Sequence, residues 1–330
     1  MKNKIIAFAA SLFFALFIAV GNVSAVTMDL SIEDVSFSPV QPIVGMTTKI
    51  IIKVRYNGDV NLTNNLGVNN VAFSHSNFQQ ESNSQTGAAV SPAASNPLIP
   101  GSSFTYNIFG RFTGGGEKLL IFKIDGANQL SESNETNNTF SKTINVLKDS
   151  DLIKLSNHPD IYLIKADGRK HLFTSEPVFW SYYTGTWSKL KKDGANVFSQ
   201  KISQADFDSI VIGTNMPVKS GSRLIKFRNS PKIYTVFENA KLKLVNDWEG
   251  MEFYNNTDWK KKVVTIYDGF ETDYIRASQD FTDNDDDGLA NSDETNFYHT
   301  NPNNHDTDGD GYRDGWEIIN GYDPNGSGGL

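Results

Sequence analysis

Acidic residues alternate along a twelve-residue segment near the carboxyl end of the chain. Its first, third and fifth positions are aspartates, its sixth is Gly288 and its twelfth is a glutamate. Alternate carboxylates in a tight loop converge on one point, and glycine permits the sharp turn. A calcium ion, which takes about six to eight oxygen ligands, fits this spacing. The predicted ligands are Asp283, Asp285, Asp287, the Leu289 carbonyl, Asn291 and Glu294.

The same pattern begins again 23 residues later, at Asp306. Its predicted ligands are Asp306, Asp308, Asp310, the Tyr312 carbonyl, Asp314 and Glu317. A solvated acidic linker is the alternative, but two matches in one register favour two calcium ions. The chain has no cysteine, and no histidine stands at a ligand position, which argues against zinc and copper. Magnesium prefers fewer protein ligands and more water.

Charge and composition restrict the function further. Residues 276–330 carry 13 acidic and 2 basic residues, so the net charge of -8 is concentrated there. Such acidity argues against nucleic acid as a partner. The lack of cysteine excludes a thiol nucleophile and a disulfide scaffold. The sequence also lacks a zinc-protease motif, a nucleophile elbow and a phosphate loop, so we predict that it is not an enzyme.

Residues 1–25 have the pattern of a secretory signal peptide. Lys2 and Lys4 precede an apolar run over residues 5–20, and small residues lead to Ala25. An uncleaved anchor is the alternative, although a run of 16 residues is short for a bilayer. We therefore expect a secreted or cell-surface protein with no membrane span after signal cleavage.

Residues 26–149 alternate between apolar and polar side chains in several short runs. Ile50, Ile52, Val54 and Tyr56 share one strand face, and similar alternation occurs over 104–108 and 120–124. Turn pairs such as Asn57-Gly58 separate the runs. This pattern predicts an antiparallel β-sandwich. The polar composition of residues 74–97 predicts a long mobile loop.

This first module also resembles the CARDB family, the cell-adhesion-related domain of bacteria. The motifs are Ser38-Pro39-x-x-Pro42-x-x-Gly45, Asn57-Gly58, Pro100-Gly101 and the acidic, asparagine-rich close from Asp125 to Asn138. The resemblance implies an immunoglobulin-like sandwich used for binding or spacing rather than catalysis. The Glu132–Asn138 cluster could bind a cation weakly, or its side chains could lock a turn before the last strand.

Residues 150–275 contain a tandem repeat. The segment 152–173 returns at 224–245 with an offset of 72 residues and 8 of 22 positions identical. The pattern of each copy predicts a strand, a proline-containing bend, a second strand, a turn and a third strand. Aromatic residues on a short helix and loop follow, so we expect an α+β domain rich in hairpins. The unit resembles an uncharacterised repeat of large secreted bacterial proteins, and that resemblance carries little functional information.

The aromatic stretches of the repeat allow three roles: packing in a core, stacking on sugars or contacting a protein. Their members are Phe179, Trp180, Tyr182, Tyr183, Trp187, Trp248, Phe253, Tyr254 and Trp259. We expect His158 and His171 to lie on the surface, because neither has a spaced partner for a metal site.

The acidic module, residues 276–330, is unlike a paired EF-hand. Only residues 295–305 separate its loops, and Pro302 lies among them, so two flanking helices do not fit. The pattern resembles bacterial thrombospondin type 3 repeats, with Asn291 in place of the usual ninth-position aspartate. That resemblance implies calcium-stabilised, extended stalks. We expect a short helix that begins near Trp316 and ends at Gly321.

The sequence therefore predicts a mainly β, non-catalytic extracellular protein with three modules. Adhesion or extracellular binding is the first hypothesis, with an unknown surface protein or polysaccharide as partner. A structural spacer or cell-envelope component without a specific ligand is the second. A carbohydrate-binding accessory protein, which would use the aromatic stretches, is the third.

Overall fold

Strands dominate the part of the chain that the computed structural model describes, so the predicted mainly β fold class is confirmed. The described residues are 27–61, 71–85, 97–126, 128, 130–186, 189–192, 195–197, 199–247, 250, 259–276 and 282–326. The predicted signal peptide lies outside them. No helix in the described part of the chain combines the length and the hydropathy that a membrane span requires.

Two antiparallel sheets form the first module. Its strands are β1 (Leu30–Ser38), β2 (Thr47–Tyr56), β3 (Val71–Phe73), β4 (Phe78–Gln85), β5 (Ser103–Phe112), β6 (Gly116–Ile124) and β7 (Thr139–Val146). One sheet has the order β1-β2-β5-β4 and the other has the order β3-β6-β7. The two sheets share one apolar core, as the predicted sandwich requires.

Buried and exposed side chains alternate along the strands that form this core. Ile50, Ile52, Val54 and Tyr56 of β2 are all fully buried, whereas Lys53 and Arg55 between them are exposed. In β6 the buried residues are Leu120, Phe122 and Ile124. The period of two seen in the sequence thus corresponds to the inner faces of the sandwich.

The expectation of a long loop over residues 74–97 is wrong for its first half. β4 pairs with β5 at the edge of a sheet, and the Phe78 ring meets the Phe112 ring edge-on at 5.0 Å between centroids. β4 is almost wholly polar after Phe78, because an edge strand needs little apolar surface. The polar composition of this segment therefore gave no indication of a strand. Residues 86–96 lie outside the described residues.

Among its described residues, the middle module contains the following strands and helices. They are β8 (Leu152–Leu155), β9 (Tyr162–Ile164), β10 (Lys170–Leu172), α1 (Glu176–Phe179), β11 (Thr184–Thr186), β12 (Lys189–Lys192), β13 (Ala195–Val197), β14 (Ser199–Ile202), α2 (Gln204–Ser209), β15 (Leu224–Phe227), β16 (Ile233–Phe237), β17 (Lys241–Val245), β18 (Val264–Ile266) and β19 (Ile275–Arg276). Short 3-10 segments cover Glu238–Ala240, Trp259–Lys262 and Asp268–Asp273.

Both copies of the repeat have the same strand order. Copy one is β10-β9-β8-β14, and copy two is β17-β16-β15-β18 with β19 added beyond β17. In each copy the fourth strand runs parallel to the first, after a long excursion that contains the aromatic stretch. The turns also correspond, since Gly168 and Asn239 both adopt positive φ.

The described aromatic residues of the repeat lie in the core or pack against it. Phe179, Tyr183 and Trp259 are buried, whereas Trp180 and Tyr182 are only partly buried. Trp187, Trp248, Phe253 and Tyr254 lie outside the described residues.

The expectation for His171 is wrong, because its side chain is buried. Its Nδ1 lies 2.7 Å from the Thr214 carbonyl oxygen, and its Nε2 lies 3.2 Å from the Asp167 carboxylate. The turn at Gly168 brings Asp167 back over the ring, so both ring nitrogens have partners inside the fold. The side chain of His158 is 57% exposed, as expected.

The first and middle modules share an apolar seam. Ile43 and Leu147 of the first module pack with Ile153, Ile164 and Ile210 of copy one. Polar contacts flank this cluster, including the bond that the Gln41 amide N–H donates to the Ser209 hydroxyl at 3.2 Å. The sandwich therefore rests against copy one of the repeat.

Two short helices belong to the acidic module. The first, α3 (Asn291–Asp293), continues as a π-helical turn over Glu294–Tyr298, and the second is α4 (Asp314–Asn320). Gly321 ends α4 with a φ of 84°, as the glycine cap in the sequence indicates.

Adjacent leucines in β6 provide a stability test of the sandwich. Leu120 is fully buried and Leu119 is 57% exposed. We expect Leu120→Ala to destabilise the first module by about 2–5 kcal/mol through lost burial and a residual cavity. Leu119→Ala should change its stability by no more than about 0.5 kcal/mol. Hydrogen exchange of β5–β7 peptides in the full chain measures both, and equal effects would contradict the assigned faces.

Candidate metal centre

The backbones of the two acidic loops turn in the same way. At the sixth position, Gly288 and Gly311 have φ values of 96° and 97°, a region that favours glycine. Their amide N–H groups donate to the first-position carboxylates, Asp283 at 3.3 Å and Asp306 at 2.9 Å. This shared turn wraps each chain segment around its own acidic side chains.

Two further hydrogen bonds recur in both loops. The seventh-position amides, Leu289 and Tyr312, donate to the fifth-position carboxylates at 2.8 and 2.9 Å. The ninth-position side chains accept from the second-position amides, at 2.9 Å in Asn291 and 2.8 Å in Asp314. Asn291 thus makes the same loop-closing bond as the aspartate it replaces, although it supplies no negative charge.

Three groups of carboxylates come together in the described residues. Asp283, Asp285 and Asp287 form the first group, with ligand oxygens within 4.8 Å of one another. Asp306, Asp308 and Asp310 form the second in the same way. These two groups are the alternate aspartates of the two loops, brought together as the spacing suggests.

The third group joins the loops. Asp287 and Glu294 of loop one meet Asp314 of loop two within the same 4.8 Å, and all three side chains are buried. The sequence analysis assigns Asp314 to loop two alone, so it misses this meeting. No local spacing could have revealed it, because the contact depends on how the two loops pack.

The other predicted ligands lie outside these carboxylate groups. They are the Leu289 and Tyr312 carbonyls, Asn291 and Glu317. Glu317 is nevertheless buried beside the carboxylates of its own loop, and its burial, followed by those carboxylates, raises its pKa.

Several carboxylate oxygens are buried without any hydrogen-bond partner. They are Asp283 Oδ1, both oxygens of Asp285, Glu294 Oε2 and Glu317 Oε2. A buried anionic oxygen without a donor is costly. A hard divalent cation satisfies several such oxygens at once, so the donor set fits calcium.

Burial and mutual repulsion perturb the proton affinities of these groups. Burial, followed by the neighbouring carboxylates, raises the pKa of Asp287 to about 7. The same causes raise the pKa of Glu294 to about 8 and that of Glu317 to about 7. When no cation balances its charge, each of these carboxyls therefore loses its proton only near pH 7–8.

The two loops are locked together at the start of α4. The Gly315 amide donates to Asp287 Oδ2 at 3.2 Å, and Arg313 Nη1 donates to the Asp286 carbonyl oxygen at 2.9 Å. A Cβ at Gly315 would lie 2.3 Å from the Asp287 carbonyl oxygen, so only glycine permits this approach. Asp314 consequently reaches loop one.

Loop one also contacts the middle module. The Ser220 hydroxyl donates to Asp293 Oδ2, and the Tyr298 hydroxyl donates to the Ser220 carbonyl oxygen. The Leu289 side chain lies against Gly221. Asp293 is wholly buried, and burial raises its pKa to about 6. Together with Leu289, these contacts fix the acidic module against the segment that precedes copy two, and the sequence analysis did not single out Ser220, Asp293 or Tyr298.

Side chains in and near the Glu132–Asn138 cluster accept hydrogen bonds from backbone amides of the first module. Glu132 Oε2 accepts a 2.6 Å bond from the Leu30 amide, and Asp125 Oδ2 accepts a 2.9 Å bond from the Leu130 amide. Asn138 is buried, and its Nδ2 lies 3.4 Å from Glu132 Oε1. These contacts favour the turn-locking interpretation over a cation site.

Family models match both ends of the chain. The CARDB model matches residues 27–142, and the Bacterial TSP3 repeat model matches residues 283–305 and 306–325. The predicted resemblances to CARDB and to bacterial thrombospondin type 3 repeats are thereby confirmed. The domain types are non-catalytic and typical of extracellular proteins, and TSP3 repeats imply calcium binding.

Solved structures with similar parts include a CARDB domain from Pyrococcus furiosus. It shares 15% identity, covers 37% of this chain and 96% of its own, and has a TM-score of 0.23. A lipoprotein from Bacillus subtilis shares 13% identity, covers 36% of each chain and has a TM-score of 0.18. At these scores neither likeness carries an argument. No curated protein matches the chain significantly.

The raised pKa values predict an unusual pH dependence of the calcium-free module. In the folded module these carboxyls have pKa values of about 7–8. Above about pH 4 they therefore bind protons more tightly than the same carboxyls do in the unfolded chain. The calcium-free module should therefore be more stable at pH 5.5 than at pH 8, and it should lose stability as pH rises through about 7–8. Calcium should remove this loss, because the ion replaces the protons.

Hydrogen exchange of peptides from residues 283–317, corrected for intrinsic rates, measures this stability with and without calcium. Peptides from β2 and β5 serve as the internal control. Protection that rises with pH in calcium-free buffer would contradict the prediction.

Proposed function

We propose that this chain, which carries a CARDB domain and two bacterial TSP3 repeats, is a secreted or cell-surface protein that binds an extracellular surface without catalysis. In this proposal, calcium holds the acidic module against the middle module. The observation that carries it is the continuous contact from the buried carboxylates to Ser220. Adhesion is favoured over a free spacer, because a docked module can present one fixed surface.

Two calcium ions, one for each loop, are part of this proposal. Their ligands would be the twelve groups given by the spacing of the loops. Bound calcium supplies positive charge that balances the buried carboxylates. The protein supplies the turns at Gly288 and Gly311, which keep those carboxylates convergent.

Asp314 would then act in two ways. It closes loop two through Thr307, whose hydroxyl donates to Asp314 Oδ2 at 2.6 Å. It also lies in the carboxylate group that includes Asp287 and Glu294 of loop one. Calcium in one loop should therefore favour calcium in the other, because both loops use the same packing at the start of α4.

A substitution at this shared position tests the coupling. We expect calcium titration by calorimetry to give two ions per chain, and Asp314→Asn to weaken both binding events by about tenfold or more. Asp323→Asn, in the turn after α4 and outside both loops, is the matched control and should bind as the wild type does. A change confined to one ion would contradict the shared role of Asp314.

Binding to cell envelopes tests the function itself. Mature chain, residues 26–330, should bind envelopes saturably in calcium and lose that binding in EGTA. The double variant Asp285→Asn, Asp308→Asn, measured in calcium, should behave as the wild type does in EGTA, which excludes simple calcium bridging between anionic surfaces. No saturable binding in either condition would favour a structural spacer.

A further inference from the structure

A cleft of about 460 Å³ lies between the middle module and the acidic module. One wall comes from the residues after α1 and from residues 219–223, and the other from Tyr298 and residues 318–321. This volume is in the range of sites for small ligands, which is roughly 300–1,000 Å³. Neither the predicted calcium ligands nor the CARDB domain uses it.

The cleft is lined by basic side chains. Lys191, Lys219, Arg223 and Lys262 all reach it, and no Asp or Glu is among its described lining residues. Although the net negative charge of the chain is concentrated in the acidic module, the residues of that module that line this space are uncharged. A lining whose charged side chains are all positive attracts an anion, and the planar guanidinium of Arg223 suits a carboxylate.

Aromatic rings stand beside these cations in fixed orientations. The Trp180 indole N–H donates to Glu176 at 3.0 Å, and its ring packs edge-on against Phe179. The Tyr298 hydroxyl is held by the Ser220 carbonyl, and the Lys219 ammonium lies 5.1 Å from the Tyr298 ring centroid. Tyr298 is buried, whereas Trp180 is only partly buried, so Trp180 offers the ring face, and a ring that is already fixed loses little entropy when a ligand stacks on it.

We propose that this cleft binds a carboxylated sugar, such as a uronic-acid unit of an extracellular polysaccharide. The C–H face of a pyranose ring packs on an aromatic face, and its carboxylate pairs with arginine or lysine. A neutral sugar would not use the positive charge of the lining, and an acidic peptide would leave the aromatic face unused. The proposal rests on the proposed function and names the ligand class for it.

Calcium should control this site indirectly. Tyr298 and the end of α4 form one wall, and Ile319 of α4 packs with Leu224, Val245 and Trp259 of copy two. Loss of calcium would release this wall, because the buried carboxylates beside it would repel one another. Sugar binding is therefore expected to weaken without calcium.

Calorimetry with three short ligands on the mature chain tests the proposal. Tri-galacturonate has sugar rings and charge, maltotriose has rings alone, and tri-glutamate has charge alone. Trimers are used because longer polyuronates gel with calcium. We expect saturable binding of tri-galacturonate at least about tenfold tighter than that of either comparison ligand, and weaker binding in calcium-free buffer.

Three variants locate the site. Arg223→Gln and Trp180→Leu should each weaken tri-galacturonate binding by about tenfold, whereas Trp180→Phe should retain most of it. Arg228→Gln, an exposed arginine outside the cleft lining, is the matched control and should bind as the wild type does. Thermal unfolding and calcium titration of each variant establish that the fold is intact.

Two results would overturn the cleft assignment: tri-galacturonate binding no tighter than tri-glutamate binding, or binding unchanged by both Arg223→Gln and Trp180→Leu. Envelope binding that persists in those variants would also overturn it while leaving the proposed function in place. Absence of envelope binding by the wild type, with tri-galacturonate still bound, would count against the proposed function and in favour of the cleft.

Discussion

Mutual repulsion among buried carboxylates is the constraint on which the C-terminal part of this structure depends. Asp287, Glu294 and Asp314 meet at the junction of the two acidic loops, and each is buried. Water cannot screen charges there as it does at the surface, so protonation or a cation must balance them. Because Asp293, adjacent to Glu294, bonds to Ser220, the same balance affects how the acidic module sits on the middle module.

The first module depends on a different interaction. Its core of alternating apolar residues loses water on folding and contains no comparable cluster of charge among the described residues. The seam that joins it to the middle module, formed by Ile43, Leu147 and Ile153, is also apolar. The carboxylate groups that a cation would balance therefore lie at one end of the molecule, whereas in the first module burial raises the pKa of Glu132 to about 7.

The sequence predicted what is encoded in local spacing. Alternation identified the buried face that contains Leu120, and regular spacing placed alternate aspartates in one turn around Gly288. Long-range packing was not readable in the same way. The polar edge strand β4 has no apolar period, and the side chain of His171 is buried by a turn that folds back over it. The meeting of Asp314 with loop one has no signal in spacing.

The duplicated repeat shows how equal local structure can acquire different partners. Both copies have the same strand order, yet Ile153 of copy one contacts the sandwich, whereas Leu224 of copy two packs in the cluster that includes Ile319 of α4. The offset of 72 residues matches Ile153 with Ile225 and Leu152 with Leu224, and both Leu152 and Ile225 lie in the core that the two copies share. The two copies therefore turn opposite faces of the same sheet toward the flanking modules. The middle module thereby connects the apolar seam with the sandwich to the acidic module, whose buried carboxylates lie beside the contact at Ser220. Each junction also carries a cleft with walls from two modules, of about 430 Å³ beside the sandwich and about 460 Å³ beside the acidic module. The lining of the first includes Asp206, whereas the described lining of the second has lysines and an arginine and no Asp or Glu, so the flanking module decides which charge each cleft presents.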